Sequence, residues 1–201
     1  MVLAALFRGK RGGFYVDVGA HHPKRYSNTY LFFKNKWSGI NIDPNPETIK
    51  LFNKSRKKDV NIQSGIMNST GKRTYYRFSD PAVNTFSKEE AEKWIDKKWI
   101  VFLGSEEVDV VPLRDIFHKN LSKDQKVDLL SIDAEGFDLE VLESNDWDKW
   151  KPDVIVIENS QFKMHRQESD KMFIFLTEKG YRLSGLTGPS LIFSKNENAK
   201  I

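Results

Sequence analysis

The chain has 201 residues, 39% of them hydrophobic and 30% charged, with 14 Phe, 6 Tyr and 5 Trp; this supply closes the core of one ordinary domain and excludes global disorder. The absence of cysteine excludes a disulfide framework, a thiol nucleophile and every cysteine-based metal centre. The net charge of +4 is unevenly placed, with 12 basic and 4 acidic residues in the first sixty and 7 basic and 13 acidic residues in 121–175. No apolar run reaches the ~18 residues of a membrane span, and residues 2–7 are too short for a signal-peptide core, so the expected compartment is the cytoplasm.

Phe14-Tyr15-Val16-Asp17-Val18 is a short, β-branched apolar run stopped by Gly19-Ala20, the pattern of a buried strand entering a tight turn. Ser27, Asn28 and Thr29 are cap residues before Tyr30-Leu31-Phe32-Phe33, which predicts a helix over 27–36. A second strand over 37–42 closes at Asp43-Pro44-Asn45-Pro46. The next helix begins near Pro46, carries the apolar Ile49, Leu51 and Phe52, and ends in the basic run Lys54-Ser55-Arg56-Lys57-Lys58, read as a solvated helix end. A weak third strand follows at 60–63. This strand–helix alternation predicts a parallel sheet with right-handed crossovers.

Residues 68–113 break the rhythm, with strand patterns at 74–78 and 108–111 and a charged helix at 88–98; they read as an insertion. Alternation resumes at Val127-Asp128-Leu129-Leu130-Ser131-Ile132 and Asp133-Ala134-Glu135-Gly136. A helix over 137–143, a strand over 154–157 and a helix around 170–179 come next. Two short runs, 181–183 and 191–193, are close enough to pair antiparallel. Residues 197–201 read as a frayed tail.

Ligands of open α/β sheets lie beyond the carboxyl ends of the strands. Four carboxylates stand there: Asp17, Asp43, Asp133 and Glu158. Asp43 follows Gly19 by 24 residues, close to the spacing at which a second-strand carboxylate accepts bonds from ribose hydroxyls. The first turn, Gly-Ala-His-His-Pro, lacks the glycines that let backbone approach a pyrophosphate. That disfavours NAD and FAD and suits a nucleoside without a diphosphate, a description S-adenosylmethionine fits. The alternative is a nucleic-acid-binding module using the basic first sixty residues, which the acidic strand ends oppose.

The runs Phe14 through Pro23, Tyr26-Ser27-Asn28-Thr29, Trp37 through Pro44, Asn84-Thr85-Phe86-Ser87, Leu130 through Gly136 and Val154 through Glu158 resemble, in order, those of FkbM-type S-adenosylmethionine-dependent methyltransferases. The resemblance spans about residues 13–193. It implies an α/β, Rossmann-like class I methyltransferase fold, a seven-stranded, mostly parallel sheet with an antiparallel last strand, formed by one domain over 1–201 with acceptor specificity in the 68–113 insertion. It also implies O-methylation of a sugar or nucleotide-activated sugar in surface polysaccharide synthesis. By position, Asp17, Gly19 and Ala20 would line the methionine part of the cofactor, Ser27 and Asn28 would hold its amino-acid end, Asp43 its ribose, and Gln63, Ser64 and Gly65 its adenine.

Asp133, Glu135 and Glu158 are the catalytic candidates, since methyl transfer to a hydroxyl needs an aligned oxygen and a proton acceptor. The competing use of Glu135 is as a cap of the helix near Phe137. Asp133, Glu158 and Asn159 also have the composition of a Mg²⁺ or Mn²⁺ site. Catechol-type O-methyltransferases, which that set resembles, carry a lysine where this chain has Gly136, so metal dependence is not favoured. His21, His22 and His165 are near enough in sequence to the site to be weighed as bases, with solvation or packing preferred. His118 reads as a helix-end residue, and burial is preferred for Trp94 and Trp99 over stacking on a sugar. Lys24 and Arg25 would receive the phosphates of an activated acceptor. The oligomeric state stays open.

Overall fold

A computed structural model describes residues 2–196; the tail read at 197–201 lies outside them. In chain order the elements are α1 (Val2–Leu6), β1 (Phe14–Val18), α2 (Tyr30–Lys34), β2 (Ser38–Asp43), α3 (Pro46–Ser55), β3 (Val60–Gln63), β4 (Gly65–Ile66), β5 (Gly71–Phe78), α4 (Lys88–Ile95) and β6 (Phe102–Val111). They continue with α5 (Leu113–Asn120), β7 (Leu129–Ile132), α6 (Asp138–Glu143), β8 (Val154–Glu158), α7 (Lys171–Glu178), β9 (Tyr181–Thr187) and β10 (Ser190–Lys195).

Seven strands form one sheet in the order β3-β2-β1-β7-β8-β10-β9. The first five are mutually parallel, and β10 runs antiparallel to both β8 and β9. The closing hairpin and the antiparallel last strand are therefore as expected. Strands β1, β7 and β8 are apolar almost throughout because both faces are covered. Val16, Leu130, Ile155 and Phe193 pack into one cluster with α5, α6 and α7, while Tyr15, Leu129, Val156 and Ile192 pack into the other with Phe32 and Trp37.

The insertion supplies β5 and β6 of a separate three-stranded sheet, β4-β6-β5, whose β4 lies just before it, and Phe78, Ala91 and Ile100 form a small cluster there. Its strands are longer than the apolar pattern predicted. Polar residues extend the ladder in water, where Thr74 Oγ1 donates to Glu107 Oε1 at 2.7 Å and Arg77 pairs with Glu106 at 3.3 Å.

Helix α2 is shorter than expected because its cap residues serve elsewhere. Ser27 Oγ accepts from the backbone N–H groups of Thr29 and Tyr30, and Thr29 Oγ1 donates to Asp17 Oδ2 at 2.6 Å instead of capping. The basic run after α3 also departs from its expected solvation: Lys54, Lys57 and Lys58 are exposed, but Arg56 has no solvent exposure. Its guanidinium donates to Pro23 O at 3.1 and 2.6 Å, Ser27 Oγ at 2.9 Å, Thr29 Oγ1 at 2.8 Å, Tyr15 Oη at 3.1 Å and Asn41 Oδ1 at 3.3 Å. Tyr15 and Thr29 in turn donate to Asp59 and Asp17, so two carboxylates are linked to the cation through hydroxyls.

Removing one partner of a buried charge network costs about 3–5 kcal/mol, and each kcal/mol moves the melting point of a chain this size by ~2–4 °C. Arg56→Met is expected to lower the melting temperature by ~10 °C. Arg56→Lys, which has no fork to reach Pro23 and Thr29 together, should recover little of it. A thermal melt showing either variant within ~2 °C of wild type would contradict this account.

Candidate active site

The carboxyl ends of β1, β2 and β7 open on a cleft of about 190 Å³. Gly19 is the hinge of its floor. Its φ is 71°, and a Cβ there would lie 1.7 Å from the carbonyl oxygen of Asp133, so only glycine lets the turn after β1 pass the end of β7. The cleft is lined by Asp17, Gly19, Ala20, Ser27, Asn28, Asp43, Ser64, Gly65, Asp133 and Glu135 among the sequence candidates. Gln63 is exposed and does not line it, because the strand alternation turns it away from the inward Ser64. Tyr75, Phe86 and Phe137 also line the cleft and were assigned no role from sequence. Phe86 belongs to the Asn84-Thr85-Phe86-Ser87 motif, which a single chain marks without explaining; Tyr75 and Phe137 carry no such signal.

Asp43 is 6% exposed, and its two oxygens accept from His21 N–H and Asn45 N–H, both at 2.8 Å. Burial pushes its pKa up to about 6 against the pull of those bonds. Asp17 is raised to about 6 for the same reason, and its carboxylate is spent on Thr29. Asn28 Nδ2 donates to Ser131 Oγ at 3.2 Å. This set fits a nucleoside cofactor: a carboxylate aimed at a cleft for a diol, an apolar wall of Ile66, Phe86 and Phe137 for a base, and no run of glycines for a pyrophosphate.

The turn after β7 is held by a residue the sequence reading passed over. Asp138 accepts from Ala134 N–H at 2.9 Å and from Gly136 N–H at 3.2 Å. Asp138 thereby ties down the turn, and the capping considered for Glu135 is not made: no side chain caps α6, and the Glu135 backbone sits at φ 47°. Asp133, Glu135 and Glu158 each present an oxygen within 4.8 Å of the others. Asp133 Oδ1 is buried without a hydrogen-bond donor. Burial first, then contact with Glu158 and the nearby Glu135, holds the Asp133 carboxyl far above the usual carboxylate range. Burial and the Glu158 charge push Glu135 up to about 7.

Asn159 does not join them. Its Nδ2 donates to Asp170 at 2.7 Å and its Oδ1 accepts from Gln161 N–H, so the third oxygen beside Asp133 and Glu158 belongs to Glu135. Among the histidines, His21 lines the cleft, His22 Nδ1 accepts from Lys24 and Arg25 N–H, and His165 is exposed away from both cavities described here. His118 lies in the last turn of α5, as read. Trp99 is 69% exposed, contrary to the burial preferred for it, and meets Trp94 edge-on at 5.7 Å.

A second cavity, about 440 Å³, is lined by Thr85, Trp94, Glu135, Glu158 and Asn159. Thr85 and Glu135 line both spaces.

The sheet order, the single-glycine turn and the carboxylate ending β2 define a Rossmann-like protein with the class I methyltransferase fold. A family model for the FkbM methyltransferase domain matches residues 17–183, and the chain belongs to that family. It is similar to the crystal structure of methyltransferase FkbM from Methylobacillus flagellatus, at 15% identity and a TM-score of 0.56, covering 95% of this chain and 45% of that one. The chain thus spans less than half the length of that structure. It is also similar to a precorrin-6y C5,15-methyltransferase from Geobacter metallireducens (12% identity, TM-score 0.47, 97% and 86% covered). A third likeness is to a TehB-like SAM-dependent methyltransferase from Corynebacterium glutamicum (11%, 0.44, 97% and 85%). No curated protein matches the chain. No helix among the described residues is long and apolar enough to cross a membrane.

Carboxyls whose pKa is raised by folding bind protons more tightly in the native state. Their stabilising contribution is full below their unfolded values near 4 and is lost as pH rises through 6–7. The melting temperature of the ligand-free protein is therefore expected to rise as pH falls from ~8 to ~5. Asp133→Asn, by relieving the crowding, should raise the melting temperature at pH 8 by ~2–4 °C, about 1 kcal/mol. A drop in melting temperature would show that Asp133 supports the fold instead.

Proposed function

We propose that the chain is an S-adenosylmethionine-dependent O-methyltransferase acting on a hydroxyl of a polyhydroxylated, sugar-like acceptor. The observation that carries this reading is the trio Asp133, Glu135 and Glu158, gathered within 4.8 Å where the cofactor cleft meets the second cavity. When bound, S-adenosylmethionine supplies a methyl group already activated by its sulfonium. Asp43 would accept the ribose hydroxyls, Asn28 and the Gly19-Ala20 turn would hold the methionine part, and Ser64-Gly65 would border the base. The surface-polysaccharide setting rests on the family resemblance alone.

The protein's own task is to hold an acceptor oxygen in line and to receive its proton. Glu135 suits the second duty: it faces both cavities, and a pKa near 7 lets it stand ionised at working pH while remaining a competent base. Asp133, held protonated by burial and by its hydrogen bond to Glu158, would orient that carboxylate, whose other oxygen can accept from an acceptor hydroxyl. A second reading places Mg²⁺ or Mn²⁺ among the three carboxylates, favoured by their mutual spacing and their all-oxygen character.

Calorimetric titration with S-adenosylhomocysteine should give heat and a stabilised fold; neither at millimolar ligand would end the proposal. Glu135→Gln is expected to keep that affinity and lose ~10²–10⁴-fold in turnover. Chelation separates the two readings: activity abolished and restored by Mg²⁺ or Mn²⁺ assigns a metal, and activity unaffected assigns direct proton transfer to Glu135.

A further inference from the structure

The second cavity opens between the insertion and the end of β8, and its volume falls within the ~300–1,000 Å³ usual for small-molecule sites. Its lining shares Thr85 and Glu135 with that of the cofactor cleft, and Thr85 Oγ1 donates to the Glu135 carbonyl at 3.4 Å. A molecule seated in it therefore meets Glu135 and Glu158, beside the residues that border the cleft.

The electrostatics of the lining select what that molecule carries. Lys93 is the one cation lining the cavity among the described residues, and its Nζ is committed to Glu90 at 2.6 Å and Glu89 at 3.2 Å. Glu135 and Glu158 have no cation within 4.0 Å among the described residues. Lys24 and Arg25, read from sequence as phosphate receivers, line neither cavity. A phosphate here would meet uncompensated negative charge, whereas an ammonium would be attracted. The Trp94 indole adds a surface suited to the C–H face of a sugar ring and to a cation.

We propose that this cavity is the acceptor site and that it takes an amine-bearing polyhydroxylated acceptor, of the amino-sugar class, in preference to a phosphorylated or nucleotide-activated one. The assignment rests on the methyltransferase reading for the reaction, and on the cavity alone for the ligand. Its test follows the Trp94 indole N–H signal in NMR, identified by its loss in Trp94→Phe, with S-adenosylhomocysteine present, at a neutral pH where Glu135 is substantially ionised and the amine is still largely protonated. Glucosamine, N-acetylglucosamine and glucose 6-phosphate are titrated separately.

Glucosamine should shift the signal at a concentration about tenfold below that needed for the neutral sugar, and glucose 6-phosphate should leave it in place. Glu135→Gln combined with Glu158→Gln should erase the preference for the amine. Equal responses to all three sugars, tighter binding of the phosphate, or no response to any of them overturns the proposal. A shift produced by magnesium chloride alone, with none added by glucosamine, overturns it in favour of a metal site. Cofactor binding is scored separately by calorimetry, so a chain that binds glucosamine at Trp94 but no S-adenosylhomocysteine would sink the methyltransferase reading and leave the amine site standing.

Discussion

Arg56 carries a full positive charge where solvent does not reach, and the arrangement around the cofactor cleft depends on how that charge is satisfied. The guanidinium is met by a backbone carbonyl at Pro23 and by hydroxyls and an amide from β1, β2 and the loop before α2. Phe52 and Phe33 close over it at 4.9 and 5.2 Å. Isolated ions cannot be buried at such cost unless nearly every donor finds an acceptor. The fork geometry then fixes the path of the loop carrying Ser27 and Asn28, because Pro23 and Ser27 must both lie within reach of one planar group. Positioning of the cleft wall is thus set by an electrostatic requirement several residues away from any ligand.

The opposite situation holds at the end of β7. Asp133, Glu135 and Glu158 are brought together with no Lys, Arg or His nitrogen within 4.0 Å of them among the described residues, and Asp133 Oδ1 is buried without a partner. Such crowding is unfavourable for the empty fold, and it persists because Asp138 fixes the turn and Glu135 is held at a positive φ. Positive φ, an unpartnered buried oxygen and crowded carboxylates coincide at this turn, which is why we propose it as the place of chemistry.

Much of this was legible in the sequence. The strands of the main sheet announce themselves because burial on both faces demands unbroken apolar runs, as in Val154-Ile155-Val156-Ile157, and the turn glycines and prolines punctuate them. The four carboxylates at strand ends were legible for the same reason, since topology alone carries them to one edge. What stayed hidden depends on partners distant in sequence. Arg56 sits among lysines and reads as solvated until Pro23, Thr29 and Tyr15 surround it. Glu135 displaces Asn159 from the acidic trio because Asn159 is bonded to Asp170, a contact that no local pattern encodes. The full length of β5 and β6 escaped notice because their polar faces leave no apolar period to detect.

Asp43 illustrates how the floor of the cleft is prepared in advance. Each of its oxygens already receives a backbone N–H, one from the turn after β1 and one from the start of α3. A free carboxylate would sample several rotamers and surrender that freedom on meeting a ligand, at roughly 0.5–1.5 kcal/mol for a side chain immobilised on binding. Here the freedom was given up during folding, so the diol that we propose Asp43 receives would find its acceptor stationary, with no further entropic loss at that residue.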